Sequence, residues 1–330
     1  MMIVKESSVN YAPVSNLAMV LPSRVRARLE PLVKPFGDCA WYDDIDGAVA
    51  AASDADLIWL TFRAHDNHDL DRVLAAGTRL RWVHTTMTGV DFLDLKALAR
   101  RGVMLTNGAG IPAEPIAEHV IMCMLAANRG LSELVLAQSR QAWIKPNSEP
   151  RELAGCQALV IGYGHLGRAI AAKARALGVE VVGVRRTRSS EPGVVAGDEW
   201  RGSLATADFV VLCVPLTDQT RHLIAATELA AMKPGAWLIN VGRGGLVDED
   251  ALVESLHAGA IGGAAIDVVE HEPLPPDHPL WTAPRLLITP HVSWVSNRTD
   301  ERAVELFTRR LRQFVDDPAT MPVVDAALGY

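Results

Sequence analysis

The chain has 330 residues, 49% of them hydrophobic, with a formal net charge of −7 at pH 7. This length accommodates two domains, and the acidic balance argues against a general nucleic-acid binder, whose phosphate contacts require a basic face. The most apolar run, near residues 120–127, is shorter than the roughly 20 residues that cross a bilayer, so we expect no membrane span.

The cysteines are scattered along the chain, with no CxxC pair and no histidine at metal-ligand spacing. They are Cys39, Cys123, Cys156 and Cys213. This usage indicates reduced thiols and no metal site. The first residues, MMIVKESSVNYAPVS, lack the long apolar core of a signal peptide, so we expect a cytoplasmic protein.

Strand-like and helix-like segments alternate from the beginning of the chain. The predicted strands are LAMVL, ADLIWLTF, LRWVHTT and VMLTN, and the predicted helices between them are SRVRARLEPLV, NHDLDRVLAAG and LDLKALARRG. This βαβα order predicts a parallel sheet. A longer helix is predicted from Ile111 to about Arg129, with Pro112 in its first turn.

A polar connector with two prolines, QAWIKPNSEPREL, precedes a second alternating series. Its strands are QALVIG, VEVVGV, DFVVLCVP, WLINVG, GAAIDVV and RLLITPH, and its helices are GRAIAAKARALG, TELAAMKPG and EDALVESLHAG. A last long helix, from about Arg298 to Phe314, stands outside this series. The sequence therefore predicts an α/β protein with two Rossmann-like, doubly wound parallel-sheet domains, and chain crossings near residues 107 and 295.

A glycine motif lies between the strand QALVI and an alanine-rich helix. Gly162, Gly164 and Gly167 form G-x-G-x-x-G in the strand–turn–helix setting of a dinucleotide-binding domain. Gly162 would make the tight turn, Gly164 would let a pyrophosphate approach the backbone, and Gly167 would allow close packing. The amides of Gly164, His165 and Leu166 would then face the phosphates at the helix N-terminus.

The next strand, VEVVGV, ends in a cluster of arginines. Arg185 occupies the position where an NAD-binding domain has an acidic residue for the ribose 2′-hydroxyl. A guanidinium at this position can bind a 2′-phosphate through two parallel hydrogen bonds. Arg185, Arg186, Thr187 and Arg188 therefore favour NADP(H) as the cofactor, with Arg185 and Arg186 as the phosphate ligands. A solvated basic loop and an arginine stacked on the adenine of NAD(H) stay open as alternatives.

Three later segments place a polar group after an apolar strand: LINVGRGGLVDEDAL, AAIDVVEHEPLPPDHPLW and LLITPHVS. The groups are Arg243, Glu272 and His291, and ligands of open parallel sheets bind at such strand ends. Each residue alone has an ordinary structural explanation in a turn or loop. Together they form an acid–base set, because histidine transfers protons near neutral pH, a carboxylate fixes its tautomer, and arginine binds carboxylates.

These motifs resemble those of the D-isomer-specific 2-hydroxyacid dehydrogenases over nearly the whole chain. GYGHLG, CVPLT, NVGRGGLVDEDAL, DVVEHEPLP and TPH occur in the family's order and spacing, and the arginine cluster is closest in type to NADPH-dependent glyoxylate/hydroxypyruvate reductases. The resemblance implies an NAD(P)-binding Rossmann domain, residues 108–294, inserted into a flavodoxin-like substrate domain of residues 1–107 and 295–330. It also implies a homodimer paired through the cofactor domains and the helix near residues 112–130.

The resemblance implies a role for each member of the acid–base set. His291 is the general acid/base, Glu272 is its partner, and Arg243 binds the carbonyl and the carboxylate of the substrate. The reaction expected is hydride transfer from NADPH to C2 of a small 2-oxoacid, with glyoxylate and hydroxypyruvate as the first candidates, which yields the D-2-hydroxyacid.

Further site residues follow from the same resemblance. In TTMTGVD the amides of Thr88 and Gly89 would bind the substrate carboxylate, and Met87 would lie beside the reacting carbon. Asp267 would hold the nicotinamide amide or ribose. The remaining implied cofactor contacts are Cys213, Val214, Pro215, Val241, Gly242 and Ser293.

The sequence leaves the roles of four residues open. Phe62 and Arg63 follow a predicted strand and could line the pocket, where a second basic group would favour a dicarboxylate or phosphorylated substrate. After TPH many family members continue with a small residue and glycine, whereas this chain has Val292, Ser293 and Trp294. The bulky Trp294 could lie near the substrate mouth or pack the hinge. Trp143, in the connector, could contact a partner subunit or the surface.

Three other functions compete with the reductase. One is an NAD(H)-linked dehydrogenase for a bulkier 2-oxoacid, and another is a formate or phosphite dehydrogenase, which shares the glycine loop. The third is a non-catalytic dinucleotide-sensing regulator. The EHEP and TPHVS context favours the 2-hydroxyacid branch, and the presence of Arg243, Glu272 and His291 together favours an enzyme over a sensor.

Overall fold

The structure, a computed structural model, describes residues 16–61, 67–90, 93–145 and 149–325, with residues 67–70 described by their backbone alone. The strands are β1 (Leu17–Pro22), β2 (Gly37–Tyr42), β3 (Leu57–Leu60), β4 (Trp82–Thr85), β5 (Met104–Thr106), β6 (Gln157–Ile161), β7 (Glu180–Arg185), β8 (Val194–Ala196), β9 (Phe209–Leu212), β10 (Trp237–Asn240), β11 (Gly263–Ile266) and β12 (Leu286–Ile288). The helices are α1 (Arg26–Val33), α2 (Ile45–Ala51), α3 (Asn67–Ala76), α4 (Leu95–Arg100), α5 (Ala113–Arg129), α6 (Leu131–Ser139), α7 (His165–Ala176), α8 (Ala226–Ala231), α9 (Glu249–Ala258) and α10 (Thr299–Asp316).

The described chain divides into two compact units. The first is built from the residues up to 111 together with those from 297 onwards, and the second from residues 112–296. The first unit is thus discontinuous in sequence, with the second inserted into it. The junctions lie a few residues beyond the predicted domain limits at 107 and 294.

The five-stranded sheet forms the centre of the first unit. Its strands are parallel, in the order β2-β1-β3-β4-β5. The inner strands β3 and β4 are buried along their whole length, as expected of a parallel sheet covered on both faces. The ring of Phe307, on α10, stacks on Trp59 and Trp82 with centroids 4.5 and 5.4 Å apart, which fixes this distant helix on the sheet.

The seven-stranded sheet forms the centre of the second unit. Its strands are parallel, in the order β12-β11-β10-β9-β6-β7-β8. The chain begins in the interior at β6, moves outwards to β8, and then returns to β9 on the opposite side of β6. Ligands of open α/β sheets bind beyond the strand ends at such a reversal. The two parallel-sheet α/β units confirm the predicted fold class.

Sequence periodicity alone misses four short or irregular elements: β2, α2, α6 and β8. β2 and β8 are edge strands, so their side chains alternate in exposure or are only half-buried and form no apolar run. α2 has seven residues and begins where Asp44 accepts the Gly47 amide at 2.8 Å. α6 exposes apolar side chains and lacks the polar face by which a surface helix is recognised.

The α5–α6 pair bends sharply at Gly130, which has φ 61° in the left-handed region that glycine adopts at low cost. Among the described residues, no single helix is long and apolar enough to cross a bilayer. α5 and α6 pass that test of length and composition only when taken together across their bend of 72°.

Candidate active site

The turn between β6 and α7 carries the three glycines of the motif. Gly162 has φ 107°, and a Cβ there would lie 2.6 Å from the carbonyl oxygen of Cys213. A Cβ on Gly167 would lie 2.0 Å from the carbonyl oxygen of Gly162, so the helix approaches the turn closely. A Cβ on Gly164 would meet no atom of the described residues within 4 Å. The backbone at Gly164 therefore faces open space, the shape that a pyrophosphate requires.

The N-terminus of α7 is suited to an anion. The helix begins directly after Gly164, and its first turn carries no acidic side chain, so the amides of Gly164, His165 and Leu166 and the helix dipole favour negative charge. The Cys213 thiol donates to the Gly162 carbonyl at 2.9 Å, and burial raises the pKa of this thiol to about 12. A neutral thiol after β9 thus stabilises the glycine turn through a hydrogen bond.

The basic loop follows β7, the strand beside β6. The strand ends at Arg185, whose side chain is half-buried, and residues 186–188 are exposed. The carboxylate of Glu191 accepts from Arg168, on α7, at 2.7 Å. The loop is therefore fastened to the same helix whose N-terminus suits phosphate, and it presents guanidinium groups rather than a carboxylate at the strand end.

The imidazole of His291 and the carboxylate of Glu272 form the centre of the candidate site. Nδ1 of His291 lies 2.7 Å from Oε2 of Glu272, with side chains 42% and 39% exposed. Partial burial acts to raise the pKa of Glu272. The hydrogen bond and charge of His291, the Val269 amide and the charge of Arg243 outweigh burial and lower that pKa below its ordinary value. Because a carboxylate only accepts, His291 donates through Nδ1 and leaves Nε2 for a substrate.

Arg243 is held in place by the residues around the end of β10. Its Nη1 donates to the Gly242 carbonyl at 2.9 Å, and buried Asn240 donates to the Arg243 carbonyl at 2.9 Å and accepts the Gly242 amide at 3.1 Å. A Cβ on Gly244 would lie 1.9 Å from the backbone of Val269, so the turn packs directly on the segment after β11. Sequence reasoning missed Asn240, whose only signal is an amide that ends an apolar strand.

Asp267 anchors the loop that carries His291. It is 3% exposed, and its two carboxylate oxygens accept the amides of Val292 and Ser293, both at 3.0 Å. Its carbonyl oxygen accepts the His291 amide at 2.8 Å. The carboxylate is thus directed at the loop backbone, and its expected contact with the cofactor stays a prediction.

All predicted catalytic and cofactor-binding residues lie in the second unit, at or after the ends of its parallel strands. They are Gly162, Gly164, His165, Leu166 and Gly167 after β6; Arg185, Arg186, Thr187 and Arg188 at β7; Cys213, Val214 and Pro215 after β9; Val241, Gly242 and Arg243 after β10; Asp267 and Glu272 after β11; and His291 and Ser293 after β12. Among the residues that the structure describes, no group of three or more histidine, cysteine or acidic side chains is placed to hold a metal ion.

The predicted substrate loop lies in the first unit, after β4. The side-chain amide of Asn107 donates to the Thr88 carbonyl at 2.8 Å, and the Gly108 amide donates to the Met87 carbonyl at 2.9 Å. Two carbonyls of the loop are therefore engaged by the segment after β5. The role of Thr88 and Gly89 as amide donors to a carboxylate stays a prediction.

The structure describes two of the four residues whose roles the sequence leaves open, and their surroundings differ. The indole Nε1 of Trp294 donates to the His291 carbonyl at 3.0 Å, so this half-buried tryptophan stabilises the histidine loop. Trp143 is fully exposed. Phe62 and Arg63 lie outside the described residues.

Comparison with known proteins decides the family. The family model described as D-isomer specific 2-hydroxyacid dehydrogenase, NAD binding domain, matches residues 121–293. The chain is 33% identical to a glyoxylate reductase of Aeropyrum pernix over 276 residues, 81% of this chain and 82% of that protein. The chain belongs to the D-isomer specific 2-hydroxyacid dehydrogenase family. This 2-hydroxyacid dehydrogenase homologue is therefore an oxidoreductase.

Two further matches extend the comparison. A D-3-phosphoglycerate dehydrogenase of Methanocaldococcus jannaschii is 32% identical over 245 residues, 73% of this chain, and the match spans 47% of that relative, about half its length. A solved NADPH-dependent glyoxylate/hydroxypyruvate reductase of Sinorhizobium meliloti, in complex with citrate, superposes with a TM-score of 0.75 at 26% identity. The superposition covers 93% of this chain and 97% of that one.

The residues of the second unit fit a nicotinamide dinucleotide. The open backbone at Gly164 would admit the pyrophosphate, and the helix N-terminus beside it would stabilise the phosphate charge. The basic loop follows β7, the strand that pairs with β6, and the adenosine ribose of such a cofactor binds at the end of this second strand. The family's dinucleotide cofactor therefore agrees with the geometry of this chain.

Proposed function

We propose that this family member reduces a small 2-oxoacid of the glyoxylate or hydroxypyruvate type to the D-2-hydroxyacid, with NADPH as the preferred reductant. The observation that carries the proposal is the 2.7 Å contact between His291 and Glu272, with the charge of Arg243 acting on the same carboxylate. The substrate class is supported by the reductases of Aeropyrum pernix and Sinorhizobium meliloti, which carry that activity in their names.

The chain's own residues handle the proton and the developing charge. Bound nicotinamide supplies the hydride to C2 of the 2-oxoacid. Nε2–H of protonated His291 donates its proton to the carbonyl oxygen, while Glu272 accepts from Nδ1–H and stabilises the charged imidazole. The guanidinium of Arg243 binds the substrate carboxylate and stabilises the negative charge that grows on the carbonyl oxygen. The amides of Thr88 and Gly89 are proposed as further carboxylate donors, with Met87 beside the reacting carbon.

The preference for NADPH is proposed to depend on the basic loop after β7. A double substitution, Arg185→Gln with Arg186→Gln, removes both guanidinium groups nearest the strand end. We expect the KM for NADPH to rise about 10- to 100-fold, because one or two charge-assisted hydrogen bonds to the 2′-phosphate are lost. The KM for NADH should change less than about twofold, since NADH has no 2′-phosphate. Initial rates with glyoxylate and each cofactor measure this.

A control separates a local effect from a general loss of positive charge. Arg140, exposed at the end of α6, is changed to Gln and should leave both KM values unaltered. A wild-type enzyme that prefers NADH, or a double variant with an unchanged KM for NADPH, would contradict the assignment of the loop to the 2′-phosphate.

A cytoplasmic homodimer paired through α5 and α6 is also part of the proposal. The pair of helices exposes Met122, Leu125, Leu131, Val135 and Leu136, each at least 44% exposed. Large apolar side chains exposed on two consecutive helices are typical of a surface that a partner subunit covers.

A further inference from the structure

A series of side-chain contacts links α5 to the loop that carries His291. Nε2 of His119, on α5, lies 3.3 Å from Oγ1 of Thr289, the residue directly after β12. The same Oγ1 lies 2.5 Å from Oδ1 of Asp267, whose carboxylate accepts two backbone amides of the loop. His119 is thus connected to the loop through two side chains, although 170 residues separate it from Thr289.

The protons in this series have one consistent arrangement. The Thr289 hydroxyl has a single proton and the ionised Asp267 carboxylate has none, so Thr289 donates to Asp267. The Thr289 oxygen therefore accepts from Nε2–H of His119. Burial lowers the pKa of His119 against the opposing charge of Asp267, which keeps the imidazole neutral near pH 7. Each contact then has a defined donor and a defined acceptor.

The backbone at His291 requires such support. Its φ of 53° lies in the left-handed region, which disfavours a residue with a side chain. The His291 amide donates to the carbonyls of Asp267 at 2.8 Å and Thr289 at 3.0 Å, and the Asp267 carboxylate holds the next two amides. Such conformations persist only where the surroundings over-determine them. The orientation of the Asp267 carboxylate therefore decides where the imidazole of His291 is held.

We propose that Thr289 and His119 are positioning residues for the proton-transfer step. They fix the orientation of the Asp267 carboxylate, and through it the left-handed turn that presents Nε2 of His291. Neither residue is proposed to touch the substrate or the cofactor. The inference rests on the proposed role of His291 as proton donor.

The hydroxyl of Thr289 is tested by a pair of variants. Thr289→Val removes the hydroxyl at nearly constant volume, and Thr289→Ser keeps it. We expect the valine variant to lower kcat about 10- to 100-fold, the loss of a hydrogen bond to a buried charge, with the KM for NADPH changed less than about twofold. The serine variant should restore kcat to within about threefold of the wild type.

Two further variants control this result. Thr282→Val removes a hydroxyl that bonds only locally, to the Pro279 carbonyl in an exposed turn, and should leave kcat unchanged. His119→Phe keeps a ring on α5 without its N–H group and should lower kcat in the same direction but by less, about 3- to 10-fold, because its bond is to a neutral oxygen. This variant carries the test if Thr289→Val does not fold.

A readout independent of turnover separates positioning from a purely structural role. Nitrogen-15 NMR of labelled histidine reports which ring nitrogen of His291 carries the proton. The wild type should show the Nδ1–H form that faces Glu272, and Thr289→Val should show a mixture of tautomers. A purely structural role would lower the melting temperature of Thr289→Val and leave the tautomer unchanged, which would overturn the inference.

Different results would contradict the proposed role of His291 and the positioning role of Thr289. If His291→Ala retains most of its kcat, the proposed function of His291 is wrong, and the NMR result alone decides the inference about Thr289. If His291→Ala is inactive while Thr289→Val retains more than half of the wild-type kcat and the single tautomer, positioning by Thr289 is wrong and the proposed function stands. Failure of Thr289→Ser to restore kcat would likewise contradict the inference.

Discussion

Two histidines, one on a strand of the first unit and one beyond a strand end of the second, occupy opposite environments. His84 lies on β4 with no exposed surface, and its Nδ1 is 2.8 Å from the Thr106 hydroxyl. The rings of Trp59 and Phe307 lie with centroids 5.6 and 5.5 Å from its own. Burial, together with repulsion from Arg310, lowers the pKa of His84 to about 3. This imidazole is therefore a neutral member of an aromatic core.

His291 lies beyond the end of β12, with 42% of its side chain exposed. Its Nδ1 faces the carboxylate of Glu272 rather than a hydroxyl, and its backbone is held in a left-handed conformation. A carboxylate stabilises a charged imidazole, whereas burial away from water and a nearby arginine disfavour the charged form.

The comparison shows that a histidine becomes a candidate acid/base through its neighbours and its exposure. Both histidines come after an apolar run in the sequence: WV directly precedes His84, and LLI precedes His291 with Thr289 and Pro290 between them. Only the position beyond a strand end, with an acidic loop beside it, gives His291 a partner and access to a ligand.

The largest effect is expected from removing the imidazole of His291. His291→Ala should lower kcat about 10²- to 10⁴-fold, the usual contribution of general acid catalysis. NADPH binding, followed by nicotinamide fluorescence, should change little because the glycine turn and basic loop are intact. His257→Ala, an exposed histidine of α9, is the matched control and should retain full activity.

A pH effect on stability is expected from His84. Because its folded-state pKa of about 3 lies below the ordinary value of 6.5, the unfolded chain binds the extra proton between these pH values. The free energy of unfolding should therefore fall as the pH drops from 6.5 towards 3, by up to about 1.4 kcal/mol per pH unit from this group.

Substitution of His84 isolates this contribution from the carboxylates that titrate in the same range. His84→Phe should reduce the loss of stability between pH 7 and pH 4, measured by urea unfolding, by roughly 3 kcal/mol. The exposed His257→Phe should not alter the slope. Equal slopes for wild type and His84→Phe would show that His84 is not held neutral by the core.

A smaller effect is expected from the charge of Glu272. Glu272→Gln keeps an acceptor for Nδ1–H of His291 but removes the negative charge, so kcat should fall about 10-fold. Because the pKa of Glu272 is lowered below 4.5, wild-type activity should lose this group's contribution only as the pH falls below that value. Glu270→Gln, which affects the neighbouring contact with Arg221, is the control. An unchanged kcat in Glu272→Gln would remove Glu272 from the mechanism.

The sequence predicts the parts of the site that depend on local patterns. The glycine spacing predicts the turn after β6, because the turn and the packing contacts involve Gly162 and Gly167 directly. The position of Arg185 at the end of β7 is also predictable from the sequence, because a short apolar run defines where the strand ends. The pairing of His291 with Glu272 is expected because adjacent parallel strands bring their ends together.

Contacts that depend on packing between distant segments are not predictable in this way. His119 meets Thr289 although the two are far apart in the sequence, and no periodicity of α5 marks it as a neighbour of β12. Asn240 stabilises the Arg243 turn through two backbone contacts that only the folded turn creates. Edge strands such as β2 escape prediction because solvent, rather than an apolar partner, covers one side.

The most direct test of the account is the oxidation of NADPH by the wild-type enzyme with hydroxypyruvate or glyoxylate, followed at 340 nm beside NADH. Chiral analysis of the glycerate formed from hydroxypyruvate completes the measurement. The account predicts faster turnover with NADPH and D-glycerate as the product. No NADPH oxidation with either 2-oxoacid, or formation of L-glycerate, would contradict it.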